Sequence, residues 1–212
     1  MITAEREYSL PNWSPYFENG DQRTLAEFLR RYHRSAFKRV ELVEGVVHMP
    51  SPVRFSKHSA PDGLVHIWLG TYAAKHGLEM CPNTTVLLDS ENSFQPDALL
   101  CSKPRKGSRV WINKDDFLCG SPELVVEISA SSVSIDLRDK LRVYRRCGVN
   151  EYIVWRTEDR EIDWFVLEDG QYVKLAADRH GRIQSPMFKG LILDTAAALK
   201  MDKAKVLAAL RR

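Results

Sequence analysis

Apolar residues recur along the chain in short blocks at two spacings, and each change of spacing marks an element. Leu25, Phe28, Leu29 and Tyr32 fall three and four apart, the pattern of one helical face, with Asp21 upstream as a cap. RVELVEGVVHM (39–49) breaks that spacing and predicts two short strands joined around Glu44-Gly45. Helical spacing returns near Ser56, with Leu64, Ile67, Trp68, Tyr72 and Ala73 directed inward and Gly77 after Lys75-His76 as the stop. TTVLL (84–88), DALLC (97–101) and PELVVEI (122–128) are apolar runs of strand length, and KPRKGSR (103–109) is a basic loop. A helix of about three turns is expected from Asp136 to Gly148, followed directly by the strand NEYIVW (150–155). That strand-helix-strand order predicts a parallel crossover. EIDWFVL and QYVKL flank Glu168-Asp169-Gly170, the clearest hairpin signal, and Asp202 opens a last helix with Val206, Leu207 and Leu210 on one side. The first twenty residues, punctuated by Pro and Asn, are expected to lie over the surface.

Strands outnumber helices, and no repeat, low-complexity tract or linker divides the chain. One mixed α/β (α+β) domain spanning residues 1–212 is therefore the expected fold class. A chain of 212 residues buries roughly 70% of its extended surface and needs no disulfide staples. Cys81, Cys101, Cys119 and Cys147 are widely spaced without a CxxC, which reads as four reduced thiols rather than a zinc site. No apolar signal core or membrane-length run is present, so a cytoplasmic protein with no membrane partner is expected. Net charge is +3, from 31 Lys and Arg against 28 Asp and Glu; it leaves the partner open, because a local patch can bind phosphate on a near-neutral protein.

The chemistry concentrates in three residues. Glu127 sits inside the apolar strand run, where an unpaired charge costs several kcal/mol. Asp97 follows Pro96 at the mouth of another strand, placed to project into a cleft. On the helix from Asp136, Leu137, Leu141 and Tyr144 form the apolar stripe, with Lys140 at its margin, while Arg138, Arg142, Arg145 and Arg146 face outward. Each has a plain structural reading: a strand-end ion pair for Glu127, a turn cap for Asp97, an i,i+4 pair with Asp136 for Lys140. Together, two carboxylates and a lysine suit a hard divalent cation acting on a phosphoryl group.

QPDALL, SPELVVEISASS, DLRDKLRVYRRCGVNEYIVW and the upstream VELVEGVVHMPSP…H resemble the Uma-two family of the PD-(D/E)XK restriction-endonuclease-like superfamily, over roughly residues 36 to 195. The resemblance implies a restriction-endonuclease-like core, a mixed sheet flanked by helices, here with an added β-hairpin. It implies a Mg²⁺- or Mn²⁺-dependent endonuclease acting on DNA. By that resemblance Asp97 and Glu127 are the catalytic and metal-binding acids, Lys140 the lysine carried on the following helix, and Glu41 a further acidic position. His58 stands where the family's first core helix starts and Gln95 beside Pro-Asp; with Arg105 and Lys106 of the basic loop they are candidate phosphate or substrate contacts. One departure matters: the parent pattern puts lysine two residues after the acid, and that position is Ser129. The rival reading is a non-catalytic nuclease-fold interaction module, a homodimer binding nucleic acid or protein. No HExxH, GxSxG, Walker or dinucleotide fingerprint is present, and Trp155 and Trp164 read as core.

Overall fold

The computed structural model describes residues 16–36 and 38–210; the expectation for residues 1–15 lies outside them. Within the part of that stretch that is described, Phe17 is buried, not on the surface. It packs with Phe28, Val40, Leu42 and Val47, joining α1 (Leu25–Arg34) to the hairpin of β1 (Glu41–Val43) and β2 (Val46–His48). The cap of α1 is Thr24, whose hydroxyl accepts the Glu27 N–H, rather than Asp21. Asp21 instead pairs with Arg23 at 2.9 Å.

A π-helical turn (Phe55–Ser59) leads into α2 (Ala60–His76), which Gly77 ends with φ 67°. The inward stripe of α2 runs through Leu64, Val65, Trp68, Leu69, Tyr72 and Ala73, whereas Ile67, expected inside, is 42% exposed. Short strands follow: β3 (Glu79–Pro82), β4 (Val86–Leu87), β5 (Ser93–Phe94), β6 (Ala98–Cys101), β7 (Val110–Ile112) and β8 (Leu118–Gly120). Then come β9 (Leu124–Ser129), a second π-helical segment (Ile135–Lys140), α3 (Leu141–Arg146), β10 (Glu151–Arg156), β11 (Glu161–Glu168) and β12 (Gln171–Lys174). Small strands β13 (Arg182–Gln184) and β14 (Ile192–Asp194) pair with each other, and α4 (Thr195–Leu199) and α5 (Lys203–Ala209) close the described chain. Asp202 caps α5 as its sequence predicts.

Two mixed sheets result, ordered β2-β1-β5-β4-β8-β7 and β12-β11-β10-β9-β6-β3. β9 and β10 run parallel across the α3 crossover, as expected, and β11 and β12 form the hairpin, with Asp169 (φ 46°) and Gly170 (φ 76°) as its turn. Every residue of β9 is buried, so both faces of the second sheet need cover. Ala98, Leu100, Leu124, Val126 and Ile128 face α2, α5 and the β13–β14 pair. The alternate positions Leu99, Cys101, Val125, Tyr152 and Val154 face α3 and the first sheet. Trp155 and Trp164 are core residues, and the four cysteines are free thiols. No helix among the described residues is long and apolar enough to cross a membrane.

Gly120 shows how tightly the first sheet closes. Its φ is +91°, and a Cβ there would sit 2.2 Å from the Arg109 carbonyl oxygen and 2.8 Å from the Trp111 ring. Gly120→Ala is expected to cost about 2 kcal/mol through strain and clash together. An unchanged midpoint in urea unfolding would contradict this.

Candidate active site

Period-two alternation decides where the charged residues go. Asp97 shares the parity of Leu99 and Cys101, and Glu127 that of Val125, so both carboxylates point to the α3 side of the second sheet. β6 and β9 pair antiparallel with Ala98 opposite Val126, and the same register carried one residue further sets Asp97 opposite Glu127. Both are buried, at 5% exposure.

Lys140 rises to them from the second π-helical segment. Its Nζ is 3.0 Å from Glu127 Oε1, 2.8 Å from Glu41 Oε2 and 3.8 Å from Asp136 Oδ1, and it lies 5.5 Å from the centre of the Phe94 ring. Burial works against the ammonium, but Glu127, Glu41 and Asp136 outweigh it and hold the Lys140 pKa well above its usual range. Burial pushes the Glu127 carboxyl well above the usual carboxylate range despite Lys140, and raises Asp136 likewise. Sequence reasoning assigned Tyr144 only to the apolar stripe; its hydroxyl donates to Glu127 Oε1 at 3.0 Å. The available signal was chemical, since a buried tyrosine on a helix facing a strand acid needs an acceptor.

Ser129, where the parent pattern has lysine, is buried and faces the same side as Glu127. Its hydroxyl donates to Asp136 Oδ2, and Ser132 donates to the same oxygen at 2.6 Å. The position thus anchors the base of the segment that delivers Lys140. Asp136, where the helix is expected to begin, lies just inside the segment and is 2% exposed.

At the mouth of the cleft His58 closes on Asp97. Its Nε2 is 3.0 Å from Asp97 Oδ1, an ion-pair contact off the direction of the N–H, and Nδ1 lies 3.1 Å from the Ile128 carbonyl oxygen. Both ring nitrogens meet acceptors, which favours the imidazolium, and the contact with Asp97 raises the His58 pKa against the effect of burial. The Ile128 N–H donates to Asp97 Oδ2 at 2.7 Å, locking the carboxylate to β9. His66 Nε2 lies 2.9 Å from the Asp97 carbonyl oxygen, tying α2 to the same strand mouth.

The structure brings Asp97, Glu127, Lys140, Glu41 and His58 to one cleft of about 620 Å³. Gln95 lines it too, but its side chain braces the neighbouring loop, donating to Thr85 and to the Lys38 carbonyl, both at 2.8 Å. The Gln95 N–H donates to Glu41 Oε1 at 2.7 Å. Arg105 and Lys106 do not line the cleft: their loop follows the far end of β6, beyond Cys101, while Asp97 precedes its near end. The outward arginines of α3 are largely committed as well. Arg146 pairs with Glu44 at 2.9 Å and Asp89 at 3.3 Å, Arg142 pairs with Glu44 and Asp139, and Arg145 donates to Gln171.

The donor chemistry fits a hard cation. Asp97 and Glu127 supply carboxylate oxygens from opposed strand positions, and Mg²⁺ commonly takes one or two protein carboxylates and keeps several waters. Among the described residues no group of three or more His, Cys, Asp and Glu side chains is arranged to hold a metal, which argues against a site built wholly from protein donors. Glu41 spends its two oxygens on Lys140 and the Gln95 N–H.

A profile of the Uma2 family, described as "Putative restriction endonuclease", matches residues 25–196. The match thus takes in α1, outside the span over which motifs alone carry the resemblance. No curated protein matches the chain. Among solved structures it is similar to one described as a putative nuclease belonging to DUF820 from Anabaena variabilis. That likeness has a TM-score of 0.64 at 15% identity, covering 84% of this chain and 98% of the other, and it supports the fold alone. With most of its length matched, the chain belongs to the Uma2 (Uma-two) family of the PD-(D/E)XK restriction-endonuclease-like superfamily.

Proposed function

We propose that this protein is an endonuclease that hydrolyses DNA phosphodiester bonds with Mg²⁺ or Mn²⁺. The observation that carries the reading is the opposition of Asp97 and Glu127 above a lysine that three carboxylates hold charged. Asp97 and Glu127 would hold the cation, which when bound supplies Lewis-acid polarisation of the phosphate. Lys140 keeps its proton and presents an ammonium that orients a water and offsets negative charge developing on the phosphoryl oxygens. Glu41 keeps Lys140 on its mark, and Tyr144 fixes the Glu127 carboxylate from behind. His58, its pKa raised by Asp97 beside it, stands at the cleft mouth where it can receive a phosphate oxygen.

The test joins binding to turnover. Calorimetric titration of the full chain with Mn²⁺ is expected to show binding that Glu127→Ala removes, and supercoiled plasmid is expected to be cut with Mg²⁺ or Mn²⁺ but not in EDTA. A chain that takes up no Mn²⁺ and cuts nothing with any divalent cation would overturn the reading. That outcome would favour a non-catalytic nuclease-fold module, for which the lack of a three-donor protein cluster among the described residues is the supporting observation.

A further inference from the structure

Between the cleft-lining residues Arg54 and Lys57 the chain carries an exposed aromatic side chain that the proposed hydrolysis does not use. Phe55 is 80% exposed, more than any other large hydrophobic side chain among the described residues. So exposed an aromatic ring is unusual on an element tied down at several points, as this one is. Phe55 begins the π-helical turn, its carbonyl accepts the Ala60 N–H, and the His58 N–H donates to Arg54 O at 2.9 Å. The turn is also pinned to the far side of the cleft. Lys57 pairs with Glu158 at 2.7 Å, and the Thr157 hydroxyl donates to the Lys57 carbonyl at 2.8 Å.

The residues around Phe55 line the cleft. Val53, itself 44% exposed, precedes it with Arg54, and Lys57 and His58 follow. A second cavity of about 390 Å³ shares Arg39, Val53, His58 and Gln95 with the first and adds Lys38. From the buried carboxylates the surface therefore runs outward past His58 to Arg39 and Lys38, with Phe55 beside the path. Arg39 donates to the neutral Asn83 amide at 2.8 Å, a contact that does not neutralise its charge. Cations that follow a backbone beside an exposed aromatic ring form the pattern that binds single strands: the charges take phosphates, and the ring takes the face of any base. A base paired inside a duplex offers no free face to such a ring.

We infer that Phe55 is a stacking platform for an unpaired base next to the scissile phosphate, so that the cleft prefers single-stranded or locally opened DNA. The inference rests on the nucleic-acid reading of the site but does not need hydrolysis.

The experiment measures fluorescence anisotropy of a labelled single-stranded oligonucleotide and of the matching blunt duplex, with the full chain in EDTA at low salt. Phe55→Ala is expected to weaken single-strand binding about 5- to 100-fold, the worth of one stacked base. Duplex binding should change less than about twofold, since it draws on the same cations without the ring. Phe55→Trp is expected to restore single-strand binding, and an oligonucleotide carrying 2-aminopurine should lose fluorescence on wild type and not on Phe55→Ala. Equal losses on both DNA forms, an unchanged single-strand affinity, or a wild type that binds no single strand would overturn the inference. So would a concentration-dependent dimer that Phe55→Ala dissolves without affecting DNA binding, which would assign the ring to contact between copies. Phe55-dependent binding without any metal-dependent cleavage would sink the nuclease reading alone. Cleavage that depends on Asp97 and is indifferent to Phe55 on both DNA forms would sink this inference alone.

Discussion

Lys140→Met is expected to lower the unfolding free energy by about 3–5 kcal/mol at pH 8, because it leaves buried acids without their cation. Methionine keeps the length and apolar stem of lysine, so packing against Phe94 changes little and the loss reports charge. Glu127 and Asp136 are already raised above their ordinary values of 4.5 and 3.8, by burial first, and Lys140 is the largest influence lowering each. Without it both rise further. A carboxyl whose folded pKa exceeds its unfolded one contributes stability below the unfolded value, and that contribution is lost as pH rises through the folded one. The deficit of the variant should therefore widen from pH 5 to pH 8. Urea unfolding in EDTA at the two pH values measures it, and a variant as stable as wild type at pH 8 would refute the account. Adding Glu127→Gln should recover part of the loss, since the pair is coupled through direct contact.

That coupling explains why some of the site was legible from residues alone and some was not. Glu127 and Asp97 stand in apolar strand runs, and period two assigns both to one face once their strands are neighbours. Lys140 was legible as the margin of a helical stripe, but its depth depends on the π-helical winding of Ile135–Lys140, a feature with no period of its own to read. Ser129 looked like a missing lysine because the strand pattern cannot show that its hydroxyl anchors Asp136. Tyr144 carried an apolar ring and a polar tip, and only the ring enters a hydrophobic pattern.

The fold divides in the same way. The crossover from β9 through α3 to β10, the β11–β12 hairpin and the α5 cap follow from local signals, namely apolar runs, an Asp-Gly turn and a capping carboxylate. Strand β4 falls within the run TTVLL, but β5, two residues long, exists because β1 and β4 pair with it, and no local propensity marks so short a segment. Arg105 and Lys106 were read by charge, and charge does not tell which end of β6 a loop occupies. The arginines of α3 likewise look free in sequence, yet the Glu44 turn and Asp89 reach them across long separations.

Asp97→Asn is expected to reduce metal-dependent DNA cleavage by about 10³-fold, a loss of roughly 4 kcal/mol of transition-state stabilisation. The substitution preserves shape. An amide oxygen can still accept the Ile128 N–H, which reaches Asp97 Oδ2 at 2.7 Å, so the junction of β6 and β9 should survive. What is lost is the negative charge that would hold the cation and that now faces His58. His58 supplies a control on this reasoning. Its folded pKa is raised above 6.5, chiefly by Asp97, so the contact stabilises the protein below 6.5 and the benefit disappears as pH rises through the folded value. Asp97→Asn should therefore lower Tm relative to wild type at pH 6, and the gap should close by pH 9. Cleavage measured at pH 9, with both proteins first shown folded there, then isolates the chemical role of the carboxylate. Activity there within tenfold of wild type would remove Asp97 from the catalytic set and leave it as a strand-mouth anchor for Ile128 and His58.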